Sequence, residues 1–511
     1  MRQADRIIVN TISNYGLTIV TMATQLVMIP VVVKHLDKSG FGLATMVLAP
    51  FGFFEVMAGS FGRALHRFIP QDLAGHDARR VSRTFTTAMA GYGLMGLVGA
   101  VATWFAFDWM LAGAEVSSVV MRDGRLAMWV LVVWLVVGFP LWGYRKGLEA
   151  IQRYDLLGLS HGLITLLRTV AVIVVFSLGY GSITFFVASH LVSLMLINLL
   201  CRRFLIRAVP GMREAPSLID KATIILVGTF AAATLLGIFG EVCGSYGFRI
   251  FIGKELGMDK LGALAAVWTL QLTIGRLIDE LTNAFSPAIS ALDAKGSSAN
   301  VAKLMLTGTK SSMLVASSMC VVPLAAAAPF LHLWLGDSFR GYDTLLYVFL
   351  LVMLPFCVGM TPTYVLFGLG RVTTTGTVML VRGLAGLLLA LAYVQWVDRN
   401  LTGAVLCMLG VQNSGGLVML YSACRAVGVR FWNALYEVMM KPLVLASVAA
   451  AVTWIVIRQV GDDRWWKLTV SVGLGELTLL ALVLGVGLGD EERARIFSFF
   501  HRAWARVARI G

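Results

Sequence analysis

The sequence predicts an all-α polytopic membrane protein with fourteen transmembrane helices: two six-helix units that face each other across a polar cavity, and two further helices. Hydrophobic residues make up 58% of the 511-residue chain and charged residues only 14%, and the mean hydropathy is +0.81. Such a composition is too apolar for a soluble protein. Apolar windows of about 20 residues, the length of a membrane-spanning helix, recur along the whole chain.

An internal similarity supports the division into two units. Glu55–Gly75 and Thr269–Gly296 each place charges inside an apolar helix, which ends near Pro70 or Pro287 and is followed by an Asp-x-x-Gly turn. Six crossings per unit give both units the same topology, as in transporters whose halves are related by an axis along the membrane normal. The predicted spans lie near 11–33, 43–65, 84–106, 126–144, 156–178, 182–200, 222–245, 262–285, 305–330, 344–368, 373–397, 402–423, 442–460 and 467–488. The predicted domains are an N-lobe at 1–210, a C-lobe at 211–430, accessory helices at 431–489 and a basic amphipathic tail at 490–511.

The distribution of basic residues predicts the orientation. Loops on the side of the amino terminus carry about twice as many Lys and Arg as the opposite loops, which places both termini in the cytoplasm. We therefore expect a multi-pass protein of a bacterial inner membrane, with the tail on the cytoplasmic membrane surface or forming a solvated helix. The net charge of +14 is dispersed over short loops, so we exclude a nucleic-acid partner.

Cofactor and metal sites are not expected. The six cysteines form no Cys-x-x-Cys motif and lie mostly within apolar windows, and no His, Cys and carboxylate cluster has metal-ligand spacing. No G-x-x-x-x-G-K-[ST] loop is present, so the chain contains no nucleotide site of that kind and is not itself an ATP-driven pump.

Charged residues inside the spans are the main site candidates. A charge at the bilayer centre costs at least about 2.5–3.5 kcal/mol, so such residues usually face a protein interior or a hydrated cavity. The basic members are Arg63, Arg168, Arg276 and Arg382, and the acidic members are Glu55, Glu241, Asp279, Glu280 and Glu476.

The arginines predict an anion site. Arg168 and Arg382 have no acid at helical spacing within their own spans, and a guanidinium group offers a planar fork of donors that suits phosphate oxygens. Arg276 can instead pair with Asp279 or Glu280 on its own helix. Ion pairs with acids of other helices are the alternative for the set, and snorkelling to the surface is the alternative for Arg63.

The acids have two interpretations. Glu55 is either an ion- or proton-responsive group or a partner of Arg63, two turns away. Glu241 has the same alternatives, and Glu476 is expected to be structural.

Polar residues also form stripes on two predicted helices. Residues at steps of three and four lie on one face of a helix, where they line a hydrated cleft or bond to other helices. The first stripe consists of Thr11, Asn14, Thr18, Thr21 and Gln25, and the second of Thr269, Thr273, Arg276, Glu280 and Asn283.

Several segments resemble the polysaccharide and O-antigen flippases of the multidrug/oligosaccharidyl-lipid/polysaccharide exporter superfamily. The resemblance lies in Asn14-Tyr15-Gly16, Pro30, Gly40-Phe41-Gly42, residues 62–69 (GRALHRFI), Gly75-His76-Asp77, the turn from Ser286-Pro287 to Gly296, residues 333–336 (LWLG) and residues 365–371 (VLFGLGR). It covers nearly the whole chain.

This resemblance implies a V-shaped pair of lobes that moves a polyprenyl-linked oligosaccharide to the outer leaflet by alternating access. It implies that Arg168, Arg276 and Arg382 line the cavity with Arg63 at its mouth, and that the accessory helices form a groove for the lipid tail. A lipid-linked glycan and membrane lipids are the expected partners, with a glycan polymerase and export machinery as further candidates, and a monomer is expected to function.

Two other functions are compatible with a polytopic membrane protein. A multidrug and toxin extruder of the same superfamily requires an acid-dominated cavity coupled to sodium or protons, and the intramembrane arginines argue against it. A membrane-embedded glycan polymerase or ligase, the candidate from the enzyme class, requires a large outer loop with catalytic residues, which the sequence lacks.

Overall fold

The computed structural model describes the backbone of residues 3–75, 77–112, 116–283 and 297–487, and of the single residues 289, 292 and 493. Its described side chains begin at residue 16 and leave out residues 74, 233, 236, 237, 280, 283 and 372. All regular structure in these ranges is helical, which confirms the predicted fold class. The α-helices are α1 (Gln3–Ala74), α2 (Ala78–Leu111), α3 (Ser118–Val137), α4 (Trp142–Ala150), α5 (Tyr154–Ser177), α6 (Ile183–Ala208), α7 (Lys221–Val242), α8 (Phe248–Glu255), α9 (Met258–Asn283), α10 (Ser298–Cys320), α11 (Ala327–Leu335), α12 (Asp343–Gly368), α13 (Val372–Trp396), α14 (Leu401–Val427), α15 (Phe431–Leu435), α16 (Lys441–Val460) and α17 (Trp465–Leu482).

Eleven helices in the described part of the chain are long and apolar enough to cross a membrane, or twelve if the bent pair α3–α4 is one span. The predicted number of fourteen is therefore not confirmed. The apolar part of α1 covers 58 residues, or about 87 Å at 1.5 Å per residue, far more than the bilayer core of about 30 Å. It is interrupted at Asp37 (φ 56°, ψ −178°), and the arms on either side of this break match the first two predicted spans.

The outer faces of the helices are apolar, as a lipid-facing surface requires. Helix α5 exposes Leu163, Leu167 and Val170, each more than half accessible, at steps of three and four residues. Exposed tryptophans lie near helix ends, including Trp109 of α2 and Trp396 of α13. Tryptophan is enriched at membrane–water interfaces, so this surface supports a membrane location.

The chain divides into two compact units. Unit 1 comprises Met1–Glu280 and Val372–Gly415, and unit 2 comprises Leu281–Arg371 and Gly416–Gly511. The lobe boundaries predicted from the sequence stay a prediction.

Unit 1 contains two features that position its charged residues. Helix α3 ends at a short 3₁₀ turn, Phe139–Leu141, and α4 continues at an angle of 50°. Pro140 within this turn removes a backbone donor and accounts for the break. The rings of Phe51, Trp134 and Trp142 pack edge to face around the bend, with centroids 5.2–6.4 Å apart. The bend brings the polar helix α4 against α1, α5 and α6.

The second feature of unit 1 is a close approach of α1 and α9. A Cβ atom at Gly42 would lie 1.9 Å from the carbonyl oxygen of Met258, and one at Gly262 would lie 2.0 Å from that of Lys38. The Lys38 ammonium also lies 3.6 Å from the Asp259 carboxylate. Glycine is the one residue that permits such backbone contact.

Unit 2 joins α10 to the carboxy-terminal helices through polar contacts. The buried Lys310 ammonium lies 3.3 Å from a carboxylate oxygen of Glu437, in the π-helical turn Tyr436–Met440. The hydroxyl of Ser318 donates to Glu476 of α17 at 2.7 Å. Ala326, Ile457 and Leu468 form an apolar cluster in the same unit.

Candidate functional site

Arg145 and Lys146 of α4 and His66 of α1 form a basic cluster around one acid, Glu149. The Glu149 carboxylate, with its side chain 10% exposed, lies 3.3 Å from Arg145 Nε, 2.7 Å from Lys146 Nζ and 3.4 Å from His66 Nε2. Arg145 and Lys146 precede Glu149 in α4 by four and three residues, helical spacings that favour these pairs. The sequence boundaries had placed the arginine and the lysine in a loop. The bend after α3 instead turns them toward α1.

Glu55 of α1 is half-buried and is surrounded by cations. Arg145 and Lys146 of α4 and Arg276 of α9 all interact electrostatically with its carboxylate. The sequence predicted either an ion-responsive group or a partner of Arg63. The structure places the acid among three cations that come from two other helices. Both interpretations of Glu55 stay predictions.

Arg168 of α5 contacts neutral groups. Its Nε donates to the Ser189 hydroxyl at a long 3.4 Å, and its guanidinium carbon lies 5.4 Å from the centroid of the Phe186 ring. Its described contacts include no carboxylate, and the half-buried His190 interacts with it electrostatically. His161, two turns before Arg168 in α5, interacts electrostatically with Arg145 and Arg276. Arg168 thus joins the basic cluster through two imidazoles rather than through an acid.

Arg382 of α13 is buried, with 9% of its surface exposed, and its Nε has no hydrogen-bond partner among the described residues. Gln412 of α14 is equally buried, and its amide oxygen also lacks a partner among them. Glu241 of α7 acts on Arg382 electrostatically but lies beyond ion-pair distance. Buried polar groups are normally hydrogen-bonded, so an unsatisfied donor near an unsatisfied acceptor marks a place for another polar group.

Arg63 and Arg276 are exposed, and Asp279 is half-buried. Arg63 and Asp279 both make further interactions, so neither is treated as a free charge. The Glu280 side chain lies outside the described residues, and its predicted pairing with Arg276 is not tested.

The polar stripes are only partly visible. The side chains of Thr11, Asn14 and Asn283 lie outside the described residues. Thr18 and Gln25 are half-buried, and Thr273 is 8% exposed. Thr21 and Thr269 donate to the backbone carbonyls of Leu17 and Ala265, four residues earlier in their own helices, at 2.8 and 3.0 Å. Their hydroxyls are therefore satisfied without a cavity or a second helix.

Sequence reasoning missed two further cations, Arg249 and Lys310. Arg249 fell in a predicted loop because the apolar window ended near residue 245. In the structure a π-helical turn, Cys243–Gly247, continues α7 into α8 and places Arg249 between the rings of Tyr246 and Trp268. The apolar run that surrounds it, Phe248 to Ile252, was the available signal. Lys310 lies within the predicted ninth span and was overlooked.

No group of His, Cys, Asp and Glu side chains in the described ranges is arranged to hold a metal ion. The described cysteines are free and lie apart from the basic cluster, except Cys201, which interacts electrostatically with Arg145 and Glu149.

Comparison with known proteins identifies the fold. No protein-family model and no curated protein sequence matches the chain. A solved structure of the lipid II flippase MurJ, in an inward closed conformation, matches with a TM-score of 0.69 and 12% identity, over 93% of this chain and 97% of that one. An inward-facing multidrug resistance MATE family transporter of the MOP superfamily matches with a TM-score of 0.67 and 11% identity, over 82% and 98% of the two chains. A MOP superfamily transporter from Pyrococcus furiosus, described as having a binding pocket of reverse polarity, matches with a TM-score of 0.62 and 12% identity, over 82% of this chain and 96% of that one. At these identities the likeness shows that the chain has the fold of these transporters.

Proposed function

We propose that this protein is a flippase. It moves an oligosaccharide or polysaccharide repeat unit, linked to a polyprenyl (undecaprenyl) phosphate or pyrophosphate, from the cytoplasmic to the outer leaflet of a bacterial inner membrane by alternating access. No covalent step is required. The observation that carries the proposal is the set of interior arginines in unit 1, of which Arg168 and Arg382 have no carboxylate at ion-pair distance among the described residues.

The electrostatic argument starts from the cost of burying a charge. An arginine buried without a counter-ion is unfavourable, and a bound anion removes that cost. Arg276 adds a cation beside Arg145, Lys146 and Glu55. A guanidinium group is charged at every physiological pH and binds phosphate oxygens with two parallel hydrogen bonds. Such a set attracts the anionic headgroup of a lipid-linked glycan, while Gln25 and Thr273 supply groups that can bond to sugar hydroxyls.

The remaining parts of the proposal concern the arrangement around this site. The N-lobe, 1–210, and the C-lobe, 211–430, enclose the substrate path, and the accessory helices within 431–489 hold the lipid tail. Both termini are cytoplasmic, and the tail at 490–511 lies on the membrane surface. The protein acts as a monomer beside a glycan polymerase and the export machinery.

A multidrug or cation antiporter is the second candidate, because the same fold includes multidrug transporters. Two observations favour the flippase. Cations rather than acids surround Glu55. The likeness to the lipid II flippase also covers 93% of this chain against 82% for the multidrug transporter, and the difference corresponds to about two membrane helices. A glycan polymerase or ligase is less favoured, because the described loops are short.

Deletion of the gene, followed by mass spectrometry of lipid-linked saccharides, tests the proposal. We expect one undecaprenyl-linked saccharide to accumulate on the cytoplasmic side, and wild-type protein to clear it. Arg168→Ala and Arg382→Ala should fail to clear it at normal membrane abundance, whereas Arg458→Ala, at an exposed position of α16, should clear it. Normal clearance by both variants would contradict the anion site. Hypersensitivity of the deletion strain to cationic drugs, without a stored saccharide, would support the antiporter instead.

A further inference from the structure

Arg249 is held in a fixed orientation by two aromatic rings. Its guanidinium carbon lies 4.7 Å from the centroid of the Trp268 ring and 5.3 Å from that of the Tyr246 ring. Contacts of this kind are favourable because the face of an aromatic ring is negative, and they fix the plane of the guanidinium group. The π-helical turn before α8 sets this position, and such turns are frequent at functional sites.

We refer to Tyr246, Arg249 and Trp268 together as the clamp. The backbone of α1 supports its Tyr246 ring. A Cβ atom at Gly52 would lie 2.1 Å from Cε1 of the Tyr246 ring, so the ring rests directly on the glycine. The centroid of the same ring lies 5.3 Å from the Arg249 guanidinium carbon. The sequence of contacts is therefore α1 backbone, Tyr246 ring, Arg249 guanidinium and Trp268 ring, contributed by three helices and one π-helical turn. An arginine that merely covers apolar surface does not need this support.

Arg249 forms no ion pair within the described part of the chain. It is half-buried, its Nε is buried without a hydrogen-bond partner among the described residues, and none of the described carboxylates lies within ion-pair distance. Aromatic contacts alone do not satisfy guanidinium donors, since each unsatisfied donor costs its lost hydration. The arrangement leaves hydrogen-bonding capacity for an anion.

The clamp adjoins the basic cluster. Tyr246 interacts electrostatically with Glu55, Arg249, Arg276 and Glu241, so two cations and two acids act on one phenol group. An anion that reaches Arg276 therefore also comes near Arg249.

We propose that Arg249, oriented by Tyr246 and Trp268, binds phosphoryl oxygens of the substrate headgroup; the inference rests on the proposed function. Arg249 is the binding residue, and the two aromatic residues are positioning residues. A lysine at this position keeps the charge but loses the planar fork and the stacking, so it does not replace the arginine.

Thermal unfolding of the purified full-length protein in detergent tests the proposal. The probes are farnesyl pyrophosphate, inorganic pyrophosphate and farnesol, titrated against wild type, Arg249→Lys, Arg249→Gln and Trp268→Leu. Arg458→Lys is the matched control, because Arg458 lies over one aromatic ring, Trp454, at 5.1 Å and is exposed, whereas Arg249 contacts two rings and is half-buried. We expect farnesyl pyrophosphate to stabilise wild type and the control alike, and to bind both Arg249 variants about tenfold more weakly or worse, given the strength of a charge-assisted hydrogen bond.

The outcomes distinguish failure of the clamp from failure of the proposed flippase function. A wild-type response that both Arg249 variants retain in full would overturn the clamp and leave the flippase standing. A wild-type protein that responds to neither phosphate probe would overturn the flippase and the clamp together. An equal response to farnesol would assign binding to the lipid tail and overturn the phosphoryl site. A response to inorganic pyrophosphate that depends on Arg249 supports a phosphoryl site, and a stronger response to farnesyl pyrophosphate identifies the lipid headgroup as its source. If Arg249→Gln does not fold, Arg249→Lys decides.

Discussion

Replacing Gly42 by alanine tests whether the contact between α1 and α9 closes one end of the transport path. In the structure the new Cβ atom would lie 1.9 Å from the carbonyl oxygen of Met258 and 2.9 Å from the amide nitrogen of Gly262. Both neighbours are backbone atoms, which cannot rotate away. The two helices must therefore move apart at this point.

The size of the effect follows from the geometry. Ordinary contact begins near 3.4 Å, so the helices must separate by about 1.5 Å, and overpacking of this kind costs about 1–3 kcal/mol. The Lys38–Asp259 ion pair recovers little, because its acid is 49% exposed and such pairs contribute about 0–1 kcal/mol. If the contact opens during transport, the variant shifts the equilibrium toward the open form by about 5–150-fold.

Spin labels can measure this shift directly. Lys34 of α1 and Asp398 after α13 are both exposed. The loop at Asp398 is hydrogen-bonded to α8 and α9. The Arg399 side chain donates to the carbonyl oxygen of Glu255 in α8 at 2.5 Å, and the Arg399 carbonyl oxygen accepts from Lys260 of α9 at 3.0 Å. A label at Asp398 therefore reports the position of these helices. We expect electron–electron double resonance to report a longer distance between labels at Lys34→Cys and Asp398→Cys in Gly42→Ala than in wild type.

The matched control is Gly59→Ala in the same helix, where a Cβ atom meets nothing within 4 Å. This variant should give the wild-type distance and the wild-type unfolding temperature. Unchanged distances and an unchanged unfolding temperature in Gly42→Ala would refute the reasoning, since the contact would then tolerate a side chain.

Three further predictions concern single sites. Asp37→Ala should lower the unfolding temperature and Asp37→Gly should not. Both variants lose the 3.0 Å hydrogen bond from the Gly40 amide to the Asp37 carboxylate, but only glycine relieves about 1–3 kcal/mol of backbone strain at φ 56°. Equal changes in unfolding temperature would argue against strain. Glu437→Gln should destabilise the protein by about 1–3 kcal/mol, because the buried Lys310 ammonium loses a carboxylate partner, and the double variant with Lys310→Met should recover part of the loss in chemical unfolding; additive effects would contradict the pairing. Glu55→Gln should strengthen binding of farnesyl pyrophosphate in the thermal assay, because one competing carboxylate is removed; weaker binding would place Glu55 among the ligand-binding groups.

The sequence predicted the helical class and most helix positions because apolar windows of membrane length leave few alternatives. Charged residues inside such windows, such as Arg168 and Arg382, were also predictable, since each is anomalous in its own helix. Their roles at a site stay proposals.

The positions of other cations could not be predicted in this way. Arg249 lies beyond the end of its apolar window, and a π-helical turn continues the helix to it. Arg145 and Lys146 follow a bend at Pro140 whose direction is set by packing of Phe51 and Trp142. Hydropathy gives the length of an element but not its direction, and helical spacing identifies partners only within one helix.

Under the proposed function the protein must release the substrate that it binds, and the acids of the basic cluster serve this requirement. Free cations would hold a phosphoryl group too tightly, because desolvated charge pairs in a low dielectric are strong. Glu149 lies within ion-pair distance of Arg145 and Lys146, and Glu55 interacts with both. An entering anion must therefore compete with two carboxylates, so the net gain on binding is smaller than the attraction itself. A site for a cationic drug needs the opposite excess of charge. Since cations from two other helices surround Glu55, the local field in unit 1 favours an anion whose affinity is moderated by the protein's own acids.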